Sequence, residues 1–211
     1  MKLASALYYD FGPFTKLKGV NSAHVVTNPE ELDKDSILIL HGGADISPSL
    51  YRHEVHRLTG ATDVPSLRDM LEWDLLQQAI KLEIPIIGIC RGAQMLCAAA
   101  GGYLIQHVDN HAGPDHEVVC ADGSTVITNT CHHQMMYPFD VEHELLMWIE
   151  HKRSNRHLVG SGRSVTNALP CEPEMVFYPK IKGFAMQFHN EWLPHDHPAN
   201  EKTLLYINQR L

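Results

Sequence analysis

Residues 84–94 read Ile84-Pro85-Ile86-Ile87-Gly88-Ile89-Cys90-Arg91-Gly92-Ala93-Gln94, an apolar run ending on a cysteine with a glycine two positions away on either side. Ile84 to Ile89 are too apolar for a half-exposed strand and too few for a helix, so they read as a buried strand. Good helix formers follow at once (Ala93, Met95, Leu96 and Ala98 to Ala100) until Gly101-Gly102 stops them. Cys90 is therefore expected at the carboxyl end of a strand, where open α/β sheets bind ligands. Gly88 and Gly92 remove the side chains that would crowd so sharp a strand-to-helix turn, as in the elbow that presents a hydrolase nucleophile. The competing reading is a buried structural cysteine, since free cysteine is among the most buried residue types.

Working outward, Leu3 to Tyr9 and Ala23 to Thr27 read as strands. Asn28-Pro29-Glu30-Glu31 supplies an N-cap, a proline at the first helical position and an acidic first turn for a short helix. Ser36 to Leu40 is a second buried-strand run, ending at His41-Gly42-Gly43. Ser66 caps a long helix through about Glu83, in which Leu67, Leu71, Leu75, Ala79 and Leu82 recur at helical spacing. Apolar strands separated by helices imply a mostly parallel sheet covered on both faces. From Glu117 the texture changes. Short candidate strands at 118–120, 125–128, 145–149, 175–178 and 184–188 are separated by turns, which predicts antiparallel additions to the same domain. Ala199 to Arg210 reads as a closing helix. With no repeats, low-complexity tract or flexible linker, residues 1–211 read as one domain.

Composition narrows the function classes. A formal net charge of −8 argues against a nucleic-acid partner, which needs a basic face. No stretch approaches the roughly 18 apolar residues of a membrane span. The start, with Lys2 and a short apolar run broken by Asp10, does not read as a signal peptide. The expectation is a cytoplasmic chain that neither spans nor binds a membrane. Five scattered cysteines suit reduced thiols better than a disulfide framework. Fifteen histidines raise the question of a metal. His53 and His56 form H-E-V-H, one residue short of the zinc helix H-E-x-x-H. His195 and His197 flank Asp196, and His107, His111 and His116 are loosely spaced. None has clean ligand spacing, so the expectation is no metal.

A cysteine nucleophile needs a base and a group that orients the base. Phe184 to Phe188 would deliver His189 at a strand end, with Glu191 two residues on. That carboxylate could hold the imidazole and favour a thiolate–imidazolium pair, the logic of a triad. An oxyanion hole could come from backbone N–H groups at Gly42-Gly43 and from the Arg91 N–H at the start of the helix after Cys90.

These segments carry a resemblance. Gly88-Ile89-Cys90-Arg91-Gly92-Ala93-Gln94 with the late Gln187-Phe188-His189-Asn190-Glu191 resembles the class I glutamine amidotransferases, which have G-x-C-x-G-x-Q and Q-x-H-P-E. Gly42-Gly43-Ala44-Asp45-Ile46-Ser47-Pro48 with Tyr51 is similar to the G-G-x-D-x-x-P-x-x-Y segment of the gamma-glutamyl hydrolase (gamma-glutamyl-GABA hydrolase-like) branch. Asn129-Thr130-Cys131-His132-His133-Gln134 resembles its N-S-x-H-H-Q, and Gly101 to Gln106 its segment after the nucleophile helix. The resemblance implies an α/β, three-layer, flavodoxin-like domain with a central mostly parallel sheet and added antiparallel strands. It implies Cys90 as nucleophile, His189 as base and then acid, and Glu191 as orienting carboxylate. Gly43 and Arg91 would be backbone oxyanion donors. Gly42, Gln94, Thr130, Cys131 and His132 would hold the substrate. Three positions depart from the pattern: Asn190 replaces a proline, His41 stands where a proline commonly precedes the glycines, and Thr130 replaces a serine.

The implied reaction is attack of the thiolate on the gamma-carbonyl of glutamine or a gamma-glutamyl compound, then hydrolysis of a glutamyl thioester, with no cofactor. The expected partner is that small molecule. A glutaminase subunit would also need a synthetase partner, because the chain has no G-x-x-x-x-G-K-[ST] motif. A silent binding module of the same fold, or a cysteine peptidase, are the other readings.

Overall fold

The computed structural model describes residues 1–7 and 10–211. In chain order these form β1 (Lys2–Ser5), β2 (Ser22–Val25), β3 (Ser36–Leu40), α1 (Leu67–Leu82), β4 (Ile86–Ile89), α2 (Arg91–Ala99), β5 (Tyr103–Ile105), β6 (His107–Val108), β7 (His116–Cys120), β8 (Thr125–Thr128), β9 (Met135–Tyr137), β10 (Glu144–Ile149), β11 (His157–Leu158), β12 (Glu172–Tyr178), β13 (Gly183–Met186) and α3 (Pro198–Asn208). Nine strands make one sheet in the order β2-β1-β3-β4-β13-β12-β10-β7-β8. The first five run parallel, and the remaining four extend the sheet antiparallel. Two small pairs, β5 with β9 and β6 with β11, lie beside it.

All five residues of β3 are buried, and they divide between two cores. Ile37 and Ile39 join Phe14, Phe184, Met186 and Ile207 on one face. Leu38 and Leu40 join Leu75, Leu76, Met95 and Leu96 on the other. Such alternation is the period-2 geometry of a strand covered on both sides, so continuous apolarity was the correct strand signal. Helices α1 and α2 cover one face and α3 the other, which makes three layers.

The helix start at Ser66 matches the expectation, with a capping box between Ser66 and Asp69. Leu67, counted in the apolar stripe, is 82% exposed, while Leu75 and Ala79 carry the contact. The turn after Asn28 is a single 3-10 turn, Pro29–Glu31, closed by its own capping box. Strand β1 ends at Ser5, short of the expected extent to Tyr9; Tyr8 and Tyr9 lie outside the described residues.

One strand differs from the sequence reading in a way that builds the site. The segment beginning at Phe184 was expected among the antiparallel additions. Instead β13 pairs parallel with β4, in register Met186 opposite Ile89, and antiparallel only with β12. The Cys90 N–H donates to the Met186 carbonyl at 2.7 Å. The two strands therefore deliver Cys90 and the segment leading to His189 at the same edge of the sheet.

Candidate active site

Cys90 sits in the turn between β4 and α2 with φ 49° and ψ −102°, a conformation sparsely populated for a residue with a Cβ. Its neighbours explain how the turn closes. A Cβ on Gly88 would collide with the Gly92 carbonyl, and one on Gly92 with the Leu40 carbonyl. Helix α2 thus lies directly against the end of β3. The Arg91 backbone N–H bonds the Cys90 sulfur.

Cys90 is 6% exposed, and burial pushes its thiol up to about 12, which outweighs the opposing Arg91 N–H. Burial thus works against the thiolate side of the expected thiolate–imidazolium pair. Glu191, Cys131 and Asp45 add smaller contributions in the same direction as burial.

His189 Nδ1 lies 2.8 Å from Glu191 Oε1. A carboxylate accepts, so Nδ1 carries the hydrogen, and the tautomer this selects has its lone pair on Nε2. The ring is held on several sides. Trp192 stacks on it at 3.7 Å between centroids and 4° between planes. Gly42 packs against its Cε1 edge so closely that a Cβ there would stand 2.6 Å from Cε1. Asn129 clamps the backbone: its Nδ2 donates to the His189 carbonyl at 2.9 Å, and its Oδ1 accepts from the His189 N–H at 2.8 Å.

Asn190, which replaces proline, is fully buried. Its Nδ2 donates to Asn200 Oδ1 at 2.8 Å and Thr203 Oγ1 at 3.2 Å, and its carbonyl accepts from Asn200 Nδ2 at 3.1 Å. Rigidity that a proline ring would supply locally comes here from three bonds to α3. On the other side Gly12, at φ +52°, allows the chain to approach the Glu191 backbone; a Cβ would be 2.9 Å from its Cα.

The Gly42-Gly43 turn is aimed by a side chain that sequence reasoning missed. Arg68 Nη2 donates to the carbonyls of His41 at 3.1 Å and Gly42 at 3.0 Å. In a trans peptide the N–H points opposite the carbonyl, so anchoring the Gly42 carbonyl on Arg68 turns the Gly43 N–H the other way. Arg68 is fixed in turn by Glu72 at 3.0 Å. Glu72 also pairs with Arg91, and Arg91 Nη2 reaches Asp69 at 2.5 Å. The buried Arg91 side chain therefore locks α2 to α1 while its backbone N–H serves Cys90.

A single cavity of about 560 Å3 is lined by Asp10, His41, Gly42, Gly43, Cys90, Cys131, His189, Glu191 and Trp192. It gathers six of the residues expected at the site. Gln94, Thr130 and His132 are not among its lining residues, which corrects their expected direct contact with substrate. Gln94 Nε2 donates to the Gln134 carbonyl, Thr130 Oγ1 donates to the His111 carbonyl, and His132 faces a separate buried cluster. Asp10, His41 and Trp192 were not expected. His41 is packed edge-on to Phe11, and burial lowers its pKa to about 4, so it lines the cavity as a neutral ring.

The Peptidase C26 family model matches residues 21–145, more than half of the chain. The chain belongs to the Peptidase C26 family. That places it in the class I glutamine amidotransferase-like superfamily. A provisionally named glutamine amidotransferase of Mycobacterium tuberculosis is 37% identical over 99 residues, covering 42% of this chain and 31% of that protein. The gamma-glutamyl-gamma-aminobutyrate hydrolase of Escherichia coli O157:H7 is 28% identical over 122 residues, covering 47% of this chain and 46% of the hydrolase. The matched stretches thus span less than half the length of either relative. A glutamine amidotransferase from Thermotoga maritima shares the fold, with a TM-score of 0.55 at 14% identity over 90% of this chain and 75% of that one. No helix of the described residues is long and apolar enough to cross a membrane.

Proposed function

We propose that the chain is a hydrolase that cleaves gamma-glutamyl amides through a glutamyl thioester on Cys90. The observation that carries this reading is the shared cavity: a strained cysteine at a strand-to-helix elbow opens on the same space as a histidine oriented by a carboxylate. Because burial favours the neutral thiol, the proton leaves as the carbonyl arrives. His189 Nε2 takes it, Cys90 Sγ bonds to the gamma-carbon, and Glu191 stabilises the imidazolium. The oxyanion is met by the Gly43 and Arg91 N–H groups, with the N-terminus of α2 behind the second. His189 then protonates the departing amine, the thioester forms, and a water deprotonated by His189 releases glutamate. Gly42 and Cys131 line the wall against which the glutamyl group would lie, while Gln94, Thr130 and His132 shape it from behind.

A free-standing hydrolase is favoured over a glutaminase subunit by the G-G-x-D-x-x-P segment, whose Asp45 ties the site loop together. Asp45 Oδ2 accepts from the Gly60 N–H at 2.6 Å and Thr59 Oγ1 at 3.1 Å, and lies 3.1 Å from His133 Nε2. Purified protein and its Cys90→Ala variant are incubated with glutamine and with a panel of gamma-glutamyl amides. The proposal expects glutamate from the gamma-glutamyl amides with the wild type alone. Release that persists in Cys90→Ala would sink the mechanism, and activity that requires an added synthetase would sink the free-standing reading.

A further inference from the structure

Behind the loop that carries Cys131, a second polar cluster lies in the interior, unused by the reaction above. His111, His132 and Glu174 are all buried, and each offers a ligand atom within 4.8 Å of the others. His111 Nδ1 is 3.9 Å and His132 Nε2 is 4.0 Å from Glu174 Oε1.

A surrounding bond fixes which nitrogen of His132 carries the lone pair. His132 Nδ1 lies 2.8 Å from the Gln134 carbonyl, which can only accept. Nδ1 therefore holds the hydrogen, and Nε2 of the neutral ring presents a lone pair toward a carboxylate. His111 Nε2 lies 3.1 Å from Glu172 Oε2 and its Nδ1 faces Glu174, but neither ring nitrogen makes a hydrogen bond among the described residues. His132 Nε2 and Glu174 Oε2 likewise have no hydrogen-bond partner among the described residues.

The outer bonds have the form that supports a metal site. A ligating imidazole usually donates its other N–H to a carboxylate or a backbone carbonyl, as His132 does to Gln134. Glu174 Oε1 is itself held by His116 Nε2 at 3.1 Å. Glu172 accepts from His157 Nε2 at 2.8 Å and from the backbone N–H groups of Arg153 and Ser154. Among the described residues neither buried carboxylate has a Lys or Arg side-chain partner. Ligand atoms at about 2.1 Å from a tetrahedral ion stand roughly 3.4 Å apart, so the two imidazole–carboxylate spacings need to contract by about half an ångström each. A separate cavity of about 510 Å3, lined by His111 and His132 with His107, Asp109, His133 and Arg153, gives access from outside.

We propose that His111, His132 and Glu174 bind one divalent transition-metal ion of the Zn2+ class, with an open position toward this cavity. The set of two imidazoles and a carboxylate suits such an ion. The ion would tie β12 to the loop after β8, the same loop whose Asn129 clamps His189. Its role is to hold that loop; no step of the hydrolysis passes through it.

Full-length protein is stripped with EDTA and titrated with Zn2+, with metal content read by elemental analysis and melting followed in parallel. The expected result is about one ion per chain and a melting point raised by several degrees, unchanged in Cys90→Ala and lost in His132→Ala and Glu174→Gln. X-ray absorption of the Zn2+-loaded wild type does not depend on either variant folding, and is expected to show nitrogen and oxygen neighbours with imidazole scattering and no sulfur. No uptake by the wild type, uptake retained by both folded variants, or a sulfur neighbour would each overturn the proposal.

Discussion

Replacing Gly42 with alanine puts a methyl group where the edge of the proposed base sits. The added Cβ would lie 2.6 Å from His189 Cε1, and 3.4 and 3.5 Å from Nδ1 and Nε2. The near-equal distances to the two nitrogens mean the contact is edge-on, at the carbon between them. Carbon atoms rest at about 3.5 Å or more, so the ring must retreat by about 0.9 Å. Trp192, stacked at 4° to the ring plane, leaves retreat within that plane as the cheapest path, and that path shifts Nε2 within the cavity and Nδ1 against Glu191. A misplacement of about 1 Å costs on the order of 10²-fold in rate, or about 2.7 kcal/mol of barrier. The assay is steady-state glutamate release from the best gamma-glutamyl amide, with thermal melting on the same samples. Gly113→Ala is the control, because a Cβ there meets nothing within 4 Å. A Gly42→Ala protein that keeps more than a third of wild-type kcat, or whose loss is matched by Gly113→Ala, refutes the reasoning.

The other predictions concern the supports of the same site. Arg68→Met frees the Gly42 carbonyl and lets the Gly43 N–H turn away; kcat should fall about tenfold to a hundredfold, below the 10² to 10³ of a deleted donor, and a change confined to KM would contradict the assignment. Arg91→Met leaves Asp69, 3% exposed, without its guanidinium and takes one of two from Glu72. Denaturant unfolding should show about 3–5 kcal/mol of lost stability, whereas a loss under 1 kcal/mol would argue against a buried network. For Cys90, a thiol pushed up to about 12 is roughly 10⁻⁵ thiolate at pH 7, so iodoacetamide alkylation followed by mass spectrometry should be slow and rise about tenfold per pH unit. Fast alkylation that is flat from pH 6 to 9 would instead indicate a resting ion pair.

The sequence made the strand-to-helix turn at Cys90 legible because local signals agreed: an apolar run, two glycines and good helix formers in immediate succession. His189 and Glu191 were legible through their position after a short apolar run, and the structure holds the pair at 2.8 Å. What stayed hidden depends on contacts between distant residues. Nothing local marks β13 as parallel to β4, because strand direction is set by the connections rather than by the strand itself. Arg68 reads as one more exposed helix charge until α1 is packed beside the Gly42-Gly43 turn. Asn190 read as a weakened proline position, because its three bonds reach α3, beyond any local window. The cluster of His111, His132 and Glu174 has no spacing that a motif could recognise, since it is assembled from two loops and β12. Gln94, Thr130 and His132 were placed by resemblance, and their side chains turn out to be engaged behind the cavity wall.

The central claim, that Cys90 is the nucleophile in a site that recognises a glutamyl group, is tested most directly by covalent trapping. The protein is treated with an electrophilic diazoketone analogue of glutamine, digested and mapped by mass spectrometry. The account predicts stoichiometric labelling on the peptide containing Cys90, suppressed by excess gamma-glutamyl substrate and greatly slowed in His189→Ala. A label on Cys131 or another residue, or labelling of Cys90 that neither substrate nor His189→Ala affects, would contradict it.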